Sequence, residues 1–202
     1  MENIRLETIE WTQYWTEHAP DRETPRVLLI GDSISVGYRH EVEGRLGGKY
    51  HVSAMSTSKA VDNPFFLDEV ALLRKQEKDY DVIHFNNGAH GGHLDADTYE
   101  KHYEALLRGL MEMFPGARLI LALTTPVMKK EALAEFDPVQ NARVLERNER
   151  VRAINARLGL GKVDDLYQAA LSAPDLHGPD GLHFKEQGYA VLADAVAKSI
   201  LK

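Results

Sequence analysis

The chain has 202 residues, 44% of them hydrophobic and 27% charged, the balance of a soluble globular protein long enough to bury one substantial core. Its formal charge of −7 and sequence pI of about 5.7 argue against a nucleic-acid surface and an anionic-membrane surface, and the absence of cysteine excludes disulfides, thiol catalysis and cysteine-based zinc sites. No apolar run approaches the ~20 residues of a membrane span, and the opening Met-Glu-Asn-Ile-Arg-Leu-Glu lacks the basic-then-apolar pattern of a secretory signal, so a cytoplasmic location is expected.

Residues 1–25 hold both tryptophans, in Trp11-Thr-Gln-Tyr14-Trp15, and show no strand pattern. They read as a helical N-terminal arm whose aromatics pack on a single domain spanning 1–202. Arg26 to Ile30, short, apolar and bounded by Pro25 and Gly31, reads as a buried strand. It stops at Gly31-Asp32-Ser33, and a helix over 36–46 follows, ended by Gly47-Gly48. Tyr50 to Met55 is a second strand, leading into a polar loop, Ser56-Thr57-Ser58-Lys59. Asn63-Pro64 opens the next helix, with Phe66, Val70 and Leu73 on its inner face. Asp81 to Phe85 is a third strand, running into Asn86-Asn87-Gly88-Ala89-His90-Gly91-Gly92-His93. Asp97 with Glu100 makes a capping-box start for a helix whose stripe is Tyr99, Tyr103, Leu106, Leu110 and Phe114. Arg118 to Leu123 is a fourth strand, and residues 127–137 show no clean period. Asp137-Pro138 starts a charged helix with Val144, Val151, Ile154 and Leu158 as apolar positions. Lys162 to Leu166 is expected as a further strand, and 185–201 as the last helix.

Strands alternating with helices imply a parallel sheet covered on both faces. Ligands bind such a sheet beyond the carboxyl ends of its strands. That edge collects Ser33, the 56–59 loop, the 86–93 loop and Thr124-Thr125-Pro126. Ser33 sits where a strand turns into a helix, so it reads either as a helix cap or as a nucleophile beside free N–H groups. A nucleophilic serine needs a base, and Asp180-Gly181-Leu182-His183 supplies a carboxylate three residues before an imidazole.

Gly31-Asp32-Ser33 near one end and Asp180-x-x-His183 near the other resemble the SGNH, or GDSL, hydrolase superfamily, over a span from about Arg26 to the end of the chain. The resemblance implies a three-layer α/β/α fold with a five-stranded parallel, flavodoxin-like sheet. It implies Ser33 as nucleophile, His183 as general base, Asp180 as the carboxylate orienting His183, and no cofactor. Asp32 reads as a turn residue tying down its loop and, with Asn87 and Lys59, is counted among the residues of the substrate site. The family's third block reads Gly-x-Asn-Asp, its asparagine donating to the oxyanion. Here Gly88-Ala89-His90-Gly91 puts His90 in that slot, where a neutral imidazole still offers one N–H, with Asn87 as the fallback donor. The second block's glycine has no counterpart in 56–59, which leaves the N–H of Thr57 or Ser58 to join that of Ser33.

His90, His93 and Asp95 also resemble a metal cluster, but their spacing shows no further ligand set and no metal is expected. The expected function is hydrolysis of a carboxylic ester, with a short acyl group on a polar or carbohydrate alcohol as the small-molecule substrate. A non-catalytic carbohydrate- or ester-binding domain, or a metal-dependent hydrolase using those three residues, is the alternative.

Overall fold

The computed structural model describes residues 5–77, 79–172 and 174–202. In chain order the elements are β1 (Thr12–Thr16), β2 (Arg26–Gly31), α1 (Ser33–Leu46), β3 (His51–Thr57), α2 (Phe66–Glu77), β4 (Val82–Phe85) and α3 (Ala96–Met113). They continue with β5 (Arg118–Leu121), β6 (Met128–Lys129), β7 (Ala132–Phe136), α4 (Gln140–Leu158), α5 (Leu166–Leu171) and α6 (Glu186–Ile200).

The central strand β2 is buried along its whole length because helices cover both faces of the sheet. Its alternating side chains feed two cores. Leu28 and Ile30 pack with Phe66, Val70, Tyr103 and Leu107 on one face. Val27 and Leu29 pack with Val42, Leu46, Leu192 and Val196 on the other. Burying each such branched side chain contributes about 1.5–3 kcal/mol, and together they fix β2 as the axis from which the following turn is presented.

The five-stranded sheet has the order β1-β3-β2-β4-β5. β3, β2, β4 and β5 run parallel, whereas β1 is antiparallel to β3, pairing Thr12 with Thr57 through to Thr16 with Ser53. Within the 1–25 arm expected to be helical, residues 12–16 are therefore the sheet's edge strand, while residues 1–4 lie outside the described residues. Thr-Gln-Tyr-Trp-Thr is a run of β-branched and aromatic residues, suited to a half-buried pleated surface. Lys162–Leu166 makes a single bridge, Asp164 to Ala122, and no strand. The reason is Asp165, whose side chain accepts from the Gln168 N–H and starts α5 at once. The 127–137 stretch folds into the β6–β7 hairpin. No helix among the described residues is long and apolar enough to cross a membrane.

Candidate active site

The turn after β2 is set by Asp32. Its Oδ1 accepts from the Ile34 N–H at 2.9 Å, so Asp32, and not Ser33, caps α1. Ser33 is the first helical residue, which leaves its N–H without an intrahelical acceptor at the positive end of the helix dipole. Asp32 is buried. That burial pushes its carboxyl above the usual carboxylate range, against the pull of the nearby His90 charge, the Ile34 N–H and His183. A side chain so enclosed anchors the turn and offers no surface to a substrate, which corrects its expected place among the substrate-binding residues.

The opposite end of the chain reaches this turn because α6 packs on α1. A Cβ on Gly37 would lie 2.1 Å from the Tyr189 ring, so glycine allows the two helices to close there. The loop ahead of α6 is fastened by the β6–β7 hairpin. The Met128 N–H donates to the Gly181 carbonyl at 2.8 Å, and Gly181 has a φ of +72° with no room for a Cβ, which would meet the Met128 carbonyl oxygen at 2.1 Å.

This framework brings Ser33, His183 and Asp180 into one hydrogen-bonded series across 150 residues of sequence. Ser33 Oγ lies 2.8 Å from His183 Nε2, and His183 Nδ1 lies 2.6 Å from Asp180 Oδ2. The other Asp180 oxygen accepts from the N–H groups of Leu182 at 3.0 Å and His183 at 2.9 Å. Partial burial works to raise the Asp180 carboxyl, but the His183 ring and these two N–H groups outweigh it and draw the pKa down to about 2. With Nδ1–H directed at a carboxylate, Nε2 is the bare nitrogen facing the hydroxyl. Such a series can pass the serine proton to the imidazole, whose positive charge the carboxylate then stabilises.

A third loop, 86–94, faces the same turn. Tyr99 donates its hydroxyl to the Asn87 carbonyl at 2.7 Å, and the Asn87 amide donates to the Lys59 carbonyl at 2.8 Å. Asn87 is thus occupied in holding two loops together. The main restraint is Arg147 of α4, 1% exposed. Its guanidinium donates to the carbonyls of Gly88 at 3.0 Å, His90 at 2.5 Å, Gly91 at 2.5 Å and Leu94 at 3.5 Å, and sits 4.4 Å from the centroid of the Tyr99 ring. Glu7 braces the loop from outside, accepting from the Gly91 N–H at 2.7 Å and standing 3.8 Å from His90 Nδ1.

In the sequence Arg147 reads as one charge in a charged helix. The signal was its position: 144, 147, 151 and 154 share one helical stripe, so an arginine there had to be buried with Val144, Val151 and Ile154. The same helix sends Asn148 to the Thr124 N–H at 2.8 Å and the Thr124 carbonyl at 2.9 Å, so α4 braces two of the loops at the site.

Other expected site residues are already engaged. The Ser58 N–H donates to the Trp11 carbonyl at 3.1 Å and its Oγ accepts from the Trp11 N–H at 2.8 Å. Thr57, paired with Thr12 inside the sheet, gives its hydroxyl to the Trp11 carbonyl at 2.9 Å. Trp11, just ahead of β1, thus takes Ser58's N–H away from the oxyanion role expected of it. The Lys59 ammonium is held by Glu69 at 2.9 Å and by the Thr12 hydroxyl at 3.2 Å. His90, His93 and Asp95 do not converge. His93 pairs with Asp62 at 2.8 Å, Asp95 caps α3, and His90 leans toward Glu7.

Residues 29–191 match the GDSL-like Lipase/Acylhydrolase family. The chain belongs to that family. Membership makes this GDSL-family protein an ester hydrolase acting on a small-molecule ester. Solved structures share its SGNH hydrolase fold. The C-terminal catalytic domain of peptidoglycan O-acetyltransferase A from Streptococcus pneumoniae, with a methylsulfonyl adduct, has a TM-score of 0.66 and 19% identity over 88% of this chain and 93% of that one. A carbohydrate acetylesterase from Sinorhizobium meliloti has a TM-score of 0.68 and 14% identity over 88% of this chain and 99% of that one. The aryl esterase of M. smegmatis has a TM-score of 0.70 and 14% identity, again over 88% and 99%. No curated protein sequence matches the chain.

Proposed function

We propose that this GDSL-family protein is a serine ester hydrolase that removes short acyl groups, of acetyl size, from a polar, carbohydrate-type alcohol. The observation that carries the reading is the unbroken series Ser33 Oγ, His183, Asp180, with contacts of 2.8 and 2.6 Å. His183 takes the Ser33 proton as Oγ attacks the acyl carbonyl. The tetrahedral oxyanion forms against the free N–H of Ser33 at the α1 N-terminus, with a second donor from His90, whose loop Arg147 and Glu7 hold in place. His183 then gives its proton to the departing alcohol oxygen. Water, deprotonated by the same imidazole, attacks the acyl-enzyme and releases the carboxylic acid and the free serine.

The small acyl group and the polar alcohol are argued from the charges near the site and from the structural neighbours. The neighbouring Lys59, His93 and Lys129 side chains each have a carboxylate partner, Glu69, Asp62 and Glu135. A rim neutralised in this way suits an uncharged polar alcohol better than an anionic one. The acetylesterase and O-acetyltransferase among the structural neighbours handle substrates of this kind by name.

The test is hydrolysis of p-nitrophenyl acetate beside the octanoate ester and an acetylated sugar. Turnover should survive chelator, favour the acetyl esters and fall by about 10⁴-fold or more in Ser33→Ala. Turnover unchanged in Ser33→Ala, or abolished by chelator, overturns the reading.

A further inference from the structure

At the amino edge of the sheet, away from Ser33, a second histidine is held by a carboxylate. His51 opens β3, and its Nε2 lies 2.9 Å from Asp21 Oδ2. An ionised carboxylate only accepts, so the Nε2 proton belongs to this bond and Nδ1 is left bare. Nδ1 nevertheless faces another acceptor, Glu43 Oε1, at 3.4 Å. The same oxygen lies 3.5 Å from Nε2 of His18. Three lone-pair donors therefore converge, all within 4.8 Å of one another, with nothing positive between them in the neutral tautomers.

We infer that His18, Glu43 and His51 form a binding site for a single divalent cation of the zinc type. Ligands 2.0–2.1 Å from a tetrahedral cation stand about 3.3–3.4 Å apart, close to the 3.4 and 3.5 Å separations found here. Imidazole with carboxylate is the donor set that zinc takes, and three protein ligands leave a fourth position for water. The two imidazoles are stacked, centroids 4.4 Å apart with planes 23° from parallel, so the exposed His18 ring turns to bring its Nε2 lone pair onto a cation held by His51 and Glu43.

The supporting shell is built in advance. Asp21 orients His51 as carboxylates orient metal-bound histidines. The second Glu43 oxygen accepts from the Val52 N–H at 2.6 Å, which aims the first at the two rings. His18 holds a left-handed φ of +48°, and buried Arg26 steadies its loop by donating to the carbonyls of Glu17 at 2.8 Å, His18 at 3.2 Å and Asp21 at 3.3 Å. A cation here would fasten the link after β1 to α1 and β3. It would take no part in the chemistry at Ser33.

The experiment is titration of Zn²⁺ into the chelator-treated full chain, read by calorimetry and by thermal melting. One Zn²⁺ should bind per chain and raise Tm by about 5–10 °C at zinc about 100-fold above its Kd. His18→Ala, which removes an exposed side chain, should weaken binding at least tenfold, and Asp21→Asn by about 10–100-fold. Wild-type protein that takes up no zinc overturns the inference, since an extra proton then suffices for the cluster. Binding unchanged in both variants overturns it too, by placing the ion on other histidines.

Discussion

The two edges of the sheet carry the same device with different third partners. At the carboxyl edge Asp180 orients His183, and the free nitrogen meets a hydroxyl, Ser33 Oγ, at 2.8 Å. At the amino edge Asp21 orients His51, and the free nitrogen meets a carboxylate, Glu43 Oε1, at 3.4 Å. A hydroxyl has a proton to give, so the first pair can act as the base for a nucleophile. A carboxylate has none, so the second pair is a set of donors waiting for a cation. The lesson is that a carboxylate–imidazole pair does not declare its chemistry; what stands on the imidazole's other side does.

Replacing the two carboxylates separately sharpens that contrast most. Asp180→Asn should leave His183 in the wrong tautomer and lower kcat by about 10³-fold or more, with little change in KM. Asp21→Asn should leave hydrolysis of p-nitrophenyl acetate at the wild-type rate. Equal losses in the two variants would mean that neither carboxylate acts through its own imidazole. Asp180 carries a pH signature as well. Its folded pKa of about 2 is below the ordinary value of 3.8, so it adds stability above about pH 4 that is lost as pH falls through 2. Solvent screens a carboxylate 45% exposed, so the Tm gap between wild type and Asp180→Asn should be small, and should close between pH 4 and 2.

His90 is the next test, because nothing at the amino edge corresponds to it. If it donates to the oxyanion, His90→Ala should lower kcat by about 10²-fold with KM nearly unchanged. A change confined to KM would assign the ring to substrate binding instead.

How much of this could be read from the sequence divides along one strand. Gly31-Asp32-Ser33 and Asp180-x-x-His183 were legible because each is a short motif whose turn chemistry is local, and the buried runs of β2, β4 and β5 announce themselves by composition. Strand β1 was not legible: its partner in the Trp11–Ser58 contacts lies 47 residues away, and no local period marks an edge strand so short. Two further contacts depend on it. With the arm taken as helical, the Ser58 N–H looked free for an oxyanion, although Trp11 holds it. The antiparallel β1–β3 pairing also brings His18 beside His51, a contact that no local pattern in the sequence marks. Lys162–Leu166 failed for the opposite reason, since a helix cap at Asp165 overrode a weak strand pattern.

The smallest expected effect tests whether the carboxyl-edge imidazole depends on how its loop is tied down. Gly181 combines a φ of +72° with a position where a Cβ would sit 2.1 Å from the Met128 carbonyl oxygen, a backbone atom that cannot rotate aside. Gly181→Ala therefore strains the backbone, at about 1–3 kcal/mol, and pushes the loop off the β6–β7 hairpin. Tm should fall by roughly 2–12 °C. The catalytic consequence is separable from that loss. Asp180 and His183 lie on either side of the displaced residue, so the 2.8 Å contact to Ser33 should lengthen and kcat fall by about tenfold, measured well below the variant's own Tm. Zinc binding at the amino edge should be unaffected, because β6–β7 does not touch it. A variant with lowered Tm but wild-type kcat would show that the hairpin braces the fold and leaves the imidazole's aim to α6.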